Sequence, residues 1–324
     1  MAVTAVTAEF LAEARRDGVD FGRTLTIGRQ ASFVGPLGLG ALLRRHGVWP
    51  EGESRRSFYR RFRNGPPWLV DPYLHSLGAR ELHALDASPY DGADIVHDLN
   101  EPVPVELEDR FDLVFDGGSL EHVFDVRTAL RSYMRMVRPG GRLVILTMAN
   151  NHCGHGFYQF SPELFFRVFS ESNGYRVERL HVAGEDVEFT RPLGGVSVPA
   201  NVRDSRYAVV DPEQVDERVL LRSRAGVAVL VQAQRVAAVA PLEAPVQQSD
   251  YQPMWASPES AAVDVPDAEA GALRRTFRRL VPPEARMALA LDVGPRLRPL
   301  LDPLQRLRVA RERSLRNRRH YRPL

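Results

Sequence analysis

Residues 111–150 constrain the fold more than any other stretch of this 324-residue chain. FDLVFD is an apolar run bounded by acids, GGSLEH is a glycine-rich turn, and RPGG separates a third segment from the second apolar run, RLVILTMAN. Between the turns, Val126, Leu130, Tyr133 and Val137 recur at helical spacing. Strand, helix and strand in that order make one βαβ unit, whose strands run parallel and are covered on both faces.

Neighbouring segments extend the pattern. Residues 7–16 predict an entry helix, 23–28 (RTLTIG) a first strand and 37–46 a helix. Residues 50–67, with five arginines and a Pro-Pro turn, read as an insertion or lid. A short helix is expected at 72–77, a second strand at 81–86 (ELHALD) and a weak third at 93–96, ahead of the strands at 112–115 and 143–147. Ser161-Pro162-Glu163 is a helix start with an N-cap followed by proline, and Asn173-Gly174 ends that helix. Strands six and seven fall at 175–182 and 226–236. The expected fold class is therefore α/β, a Rossmann-like doubly wound and mostly parallel seven-stranded sheet.

Composition removes several functions. The chain has no lysine, so Schiff-base chemistry is excluded, and its single cysteine, Cys153, excludes an internal disulfide. No run of eighteen apolar residues occurs, and the first eighteen residues lack the basic start and apolar stretch of a secretory signal. The expected compartment is the cytoplasm. No G-x-S-x-G elbow supports a serine hydrolase, and the His152-Cys153-x-His155 cluster matches no standard zinc spacing, so no metal is expected.

The series FDLV, LEHV-D and RPGG-L, in that order, resembles the latter half of a class I S-adenosylmethionine-dependent methyltransferase domain. The resemblance implies that fold over residues 21–238, a methyl-transfer activity and S-adenosylmethionine as cofactor. It also implies that the residues just after each strand face the ligand. After strand one, Gly28 matches the first glycine of the family's G-x-G turn, but Thr26 stands where an acid is expected and Arg29-Gln30 replaces the rest of the loop. Asp86, ending strand two, takes the ribose role, against an ordinary strand-end turn. Asp98 would hydrogen-bond the adenine amino group with Leu99 on the ring, or Asp98 is simply an Asx turn. Asp116 and Gly117, after strand four, would meet the amine and sulfonium region.

For catalysis the unusual segment is NNHCGHGFYQF after strand five. His155 is the candidate base or acceptor ligand, with Tyr158 and Gln159 orienting the acceptor; the alternative is a solvated loop anchored by Phe157 and Phe160. Glu121-His122 reads as a brace for its turn. The acceptor is expected to be a small molecule or glycan. A non-catalytic binding or scaffolding protein that keeps the fold is the alternative, because the first loop is altered.

Residues 1–20 form the entry helix segment, 239–270 a disordered linker poor in large aliphatics, and 271–324 a basic tail with 15 arginines against 4 acids. That tail reads as solvated or as a contact to an anionic membrane surface, which would make the protein peripheral at the membrane. Nucleic acid is disfavoured, since no aromatic stacking series accompanies the arginines.

Overall fold

The computed structural model describes residues 2–64, 69–185, 206–215, 218–221, 223, 225–243, 245–250, 314–315 and 317–324. Besides a short parallel pair, Ala2–Val3 with Ala31–Ser32, its strands are β1 (Arg23–Ile27), β2 (Glu81–Asp86), β3 (Ile95–Val96), β4 (Phe111–Gly117), β5 (Val137–Asn150), β6 (Tyr175–Glu185), β7 (Arg206–Val209), β8 (Gly226–Arg235) and β9 (Tyr321–Pro323). They form one sheet in the order β9-β7-β6-β8-β5-β4-β1-β2-β3. Pairings among β3, β2, β1, β4 and β5 are parallel, and β8 runs antiparallel to both β5 and β6. The doubly wound reading stands, with two more strands than the seven expected. The strand order turns around between β1 and β4, which is where open α/β sheets leave a crevice for ligands.

Helices cover the sheet: α1 (Ala5–Arg16), α2 (Pro36–Arg45), α3 (Arg55–Asn64), α4 (Asp71–Ser76), α5 (Val126–Met136) and α6 (Pro162–Val168). α5 buries Leu130 and Tyr133 of the predicted series, with Val126 partly buried and Val137 buried as the first residue of β5, and Asp125 caps it by accepting from the Thr128 amide at 3.0 Å. α6 begins as the sequence requires, with the Ser161 hydroxyl accepting from the Glu163 amide and Pro162 in the first turn. α1 belongs to the same core: Phe10 and Leu11 are fully buried, and the Tyr73 hydroxyl donates to the Ala8 carbonyl at 2.8 Å.

Residues 50–67 are not a lid in their described part. α3 lies within them and inserts Phe58 and Phe62 into the core, where Phe58 meets Trp49 and Tyr59. Burying a phenylalanine is worth roughly 2–3 kcal/mol, enough to hold an arginine-rich helix down by one face. Part of the segment expected as a disordered linker, 239–270, is packed. Leu242 is buried, its amide donates to Asn173 Oδ1, and its carbonyl accepts from Arg127 and Arg131. Most of the remaining linker and residues 271–313 of the basic tail lie outside the described residues. The end of that tail is strand, since Tyr321–Pro323 forms β9.

By contact density the chain divides into residues 1–211, 223–246 and 322–324, and a second unit of 212–222 and 247–321. Within the second, Arg218 pairs with Asp250 at 2.6 Å and the Tyr321 hydroxyl reaches the Val219 carbonyl. Among the described residues no helix is long and apolar enough to cross a membrane.

Candidate active site

A cavity of about 390 Å³ opens at the carboxyl ends of β1 and β2, lined among others by Gly28, Leu85, Asp86, Asp98, Leu99 and His122. Its volume lies within the few hundred Å³ typical of small-molecule sites. Gly28 has φ +67°, a left-handed conformation that suits glycine, and its amide bonds the Leu85 carbonyl at 2.6 Å. The backbone of the first turn is thereby drawn across to the end of β2. Asp86 contributes its carboxylate to the cavity wall, and no partner engages that carboxylate among the described residues.

Asp98 is also at the wall, but its carboxylate accepts from the Asn100 amide at 2.9 Å and from Asn100 Nδ2 at 2.8 Å. These bonds hold its pKa below the usual carboxylate value. The geometry is the Asx turn, and both bonds fall on Oδ1, which leaves Oδ2 for a donor. Leu99 beneath it is buried and gives the cavity an apolar floor.

Asp116 and Gly117 differ from expectation. Asp116 is fully buried and turned into the β4 turn, accepting from the amides of Gly118, Ser119 and Leu120 and from the Tyr133 hydroxyl. It is outside the cavity lining and caps the turn instead of meeting a ligand amine. Burial, and then the Glu121 carboxylate, push its pKa up to about 7 against those bonds. Gly117 makes room for Gln30: a Cβ there would stand 2.2 Å from Gln30 Oε1. Gln30 is itself buried, with Nε2 donating to the carbonyls of Ile27 (2.6 Å) and Gly28 (3.3 Å).

The other departures in the first loop are likewise employed. The Thr26 hydroxyl donates to the His83 carbonyl at 3.3 Å, and Arg29 pairs with Asp71 at 2.6 Å while reaching the Gly92 carbonyl.

The histidine loop is held from both sides. Asn151, at φ +59°, donates to the Ser223 and Ala225 carbonyls, and the Phe157 amide bonds the Glu121 carbonyl at 2.8 Å. Tyr158 and Gln159 serve the loop, where orienting an acceptor was expected: the Tyr158 hydroxyl donates to the Phe124 carbonyl, and Gln159 Oε1 accepts from the His152 amide. His155 is half-exposed and 3.6 Å from Glu121 Oε1, and its ring centroid is 5.2 Å from that of His122. His155 therefore approaches the cavity through His122, which lines it. Glu121 is fully buried, one oxygen accepting from the Thr147 hydroxyl at 2.7 Å. The sequence reads the Glu121-His122 pair as a brace for its turn; in the fold Glu121 does hold that turn to β5 through Thr147, and His122 in addition lines the cavity.

The methyltransferase domain family matches residues 72–145. Solved structures with similar folds include an S-adenosylmethionine-dependent methyltransferase from Mesorhizobium loti (17% identity, 70% of this chain and 98% of that one, TM-score 0.35). Others are the YcgJ protein from Bacillus subtilis (12%, 71% and 99%, 0.33) and a SAM-dependent methyltransferase from Aquifex aeolicus (11%, 69% and 88%, 0.33). Among curated proteins none matches the chain significantly.

Proposed function

We propose, from the match of residues 72–145 to the methyltransferase domain family, that the chain is an S-adenosylmethionine-dependent methyltransferase acting on a small-molecule acceptor. One observation carries the reading: at the point where the strand order turns around, a cavity of about 390 Å³ presents the uncommitted Asp86 carboxylate beside the left-handed turn at Gly28. That donor set fits an adenosyl group. A carboxylate accepts from ribose hydroxyls, Leu99 offers an apolar face to the base, and Gly28 lets backbone come close. When bound, the cofactor supplies an electrophilic methyl group on sulfonium.

The protein's own task is alignment, with a base only where the acceptor has a proton to lose. His122 at the cavity wall and His155 behind it are the imidazoles available for that proton. Phe124 and Phe157, both largely exposed and packed edge to face at 5.9 Å, give the adjoining surface an apolar ring pair suited to a small acceptor.

Gln30 favours a second reading. It fills the space over Gly117 where the family pattern brings the cofactor's sulfonium region, as expected of a scaffold that has lost cofactor binding. Calorimetry with S-adenosylmethionine and S-adenosylhomocysteine separates the two. Saturable binding weakened at least tenfold by Asp86→Ala supports the enzyme, and absence of heat from both ligands on folded protein removes it.

A further inference from the structure

We propose that Glu121, His122 and His155 form a binding site for one divalent first-row transition metal, zinc or cobalt in character, beside the cofactor cavity. Their ligand atoms all lie within 4.8 Å of one another. Two imidazoles and a carboxylate are the donors that such ions take, and three protein ligands leave a coordination position open.

The case rests on how the three residues are held. Glu121 is fully buried, and among the described residues its Oε1 has no hydrogen-bond partner, while its other oxygen is fixed by the Thr147 hydroxyl. A buried carboxylate oxygen without a donor is costly unless a cation completes it. His155 Nε2 stands 3.6 Å from it, too far for a hydrogen bond and suited to a shared ion. Thr147 orients the carboxylate as outer partners of metal ligands do. The other carboxylate-imidazole cluster, Glu9, Glu13 and His46, differs on this point, since Arg45, Arg179 and Arg206 already neutralise it.

The loop also delivers His155 through a fitted contact. At Gly156 a Cβ would be 2.7 Å from the Glu121 carbonyl oxygen, so only glycine lets the chain pass this close. Both imidazoles are exposed, and they can rotate to close the donor separations to the roughly 3.4 Å that bonds of about 2.1 Å require in a tetrahedral site.

The metal's role rests on the cofactor reading above, whereas its binding does not. Through the open position the ion would take a hydroxyl oxygen of the acceptor, which defines the substrate class as an oxygen-ligating small molecule. With the ion bound both imidazoles are ligands and no longer serve as the bases named above, so that oxygen releases its proton to solvent and forms the bond to the methyl carbon. The carbon-sulfur bond breaks and its electron pair stays on sulfur.

The test uses full-length protein stripped with EDTA and desalted, titrated with Co2+ by visible absorption and with Zn2+ by calorimetry. The expected result is one saturable equivalent, weakened at least tenfold in Glu121→Gln and in His155→Ala and unchanged in Cys153→Ser, which removes the exposed thiol of the same loop. His155 sits on an exposed loop, so its variant reports even if Glu121→Gln fails to fold. Absence of saturable binding to the wild type overturns the proposal, as does binding by His155→Ala within threefold of wild type. Calorimetry with S-adenosylmethionine on stripped and loaded protein keeps the readings apart. Metal binding without cofactor binding removes the methyltransferase and leaves the site, and the converse removes only the site.

Discussion

Gly156→Ala tests whether the histidine loop is seated on the turn after β4. The new methyl carbon would lie 2.7 Å from the Glu121 carbonyl oxygen, 3.1 Å from its carbonyl carbon and 3.2 Å from its Cγ. Two of these atoms are backbone of a buried residue, so the loop must yield. Overpacking of this kind costs about 1–3 kcal/mol. Losing the 2.8 Å bond from the Phe157 amide to the same oxygen adds ~1 kcal/mol. Against this, a non-glycine residue removes freedom from the unfolded chain, worth ~0.4–1 kcal/mol where φ is ordinary.

The net is a loss of about 1–3 kcal/mol, which lowers the melting temperature by a few degrees at about 2–4 °C per kcal/mol for a unit of this size. Gly154→Ala is the control. Nothing lies within 4 Å of a Cβ there, but φ is +87°, so it bears only the left-handed strain of ~1–2 kcal/mol. Thermal melts followed by circular dichroism measure both. Because Gly156→Ala displaces His155 without deleting a ligand, its Co2+ affinity should fall as well, while that of Gly154→Ala should change less. A Gly156→Ala protein as stable as wild type, with unchanged Co2+ affinity, would refute the seating.

Two buried groups give stability opposite pH trends. His181 packs edge-on to Phe10, and burial followed by the charges of Arg179 and Arg206 pushes its pKa down to about 4. Its contribution is present above the unfolded value near 6.5 and is lost as pH falls towards 4, on the order of 3 kcal/mol; urea midpoints of His181→Gln should lack that dependence. Asp116, pushed up to about 7, behaves the other way: its contribution is full below the unfolded value of about 4 and is lost as pH rises through 7, on the order of 4 kcal/mol. The stability of wild type relative to Asp116→Asn should therefore decline from pH 4 to 8, and a flat difference would show that Asp116 ionises normally.

How much of this was legible depended on the range of the interaction. Strands β1, β2, β4, β5, β6 and β8 could be read because unbroken apolar or β-branched runs between turn residues are local facts, and parallel burial follows from them. Gly28, Asp86, Asp98 and Leu99 could be read because position after a strand fixes which edge of the sheet a residue occupies. α3 was not read: residues 50–67 look like an insertion or lid because five arginines obscure the spacing of Phe58 and Phe62, four apart on one helix face. The orientation of Asp116 was not legible. It depends on Gly118 at φ +108° folding three successive amides back onto one carboxylate. Nor was the meeting of Glu121 with His155, 34 positions apart, which requires β5 to run beside β4 and Gly156 to admit the loop.

The altered first loop takes on a different sense once its side chains are located. In the sequence, Thr26, Arg29 and Gln30 are losses from a family pattern. In the fold each has a partner: Thr26 reaches across to the backbone of β2, Arg29 ties the loop to α4, and Gln30 bonds the carbonyls of Ile27 and Gly28. These bonds hold the loop in its present form, since burying a polar group without one costs about 1–3 kcal/mol. The two ends of the site differ. The end bearing Asp86 and Leu99 keeps an open cavity, whereas the end bearing Gly117 is packed against a glutamine. The enzyme and scaffold readings therefore agree on the adenosyl half and part over a single side chain. Gln30 either swings away to admit the rest of the cofactor or stays against Gly117, and its bonds to two backbone carbonyls set the cost of moving it.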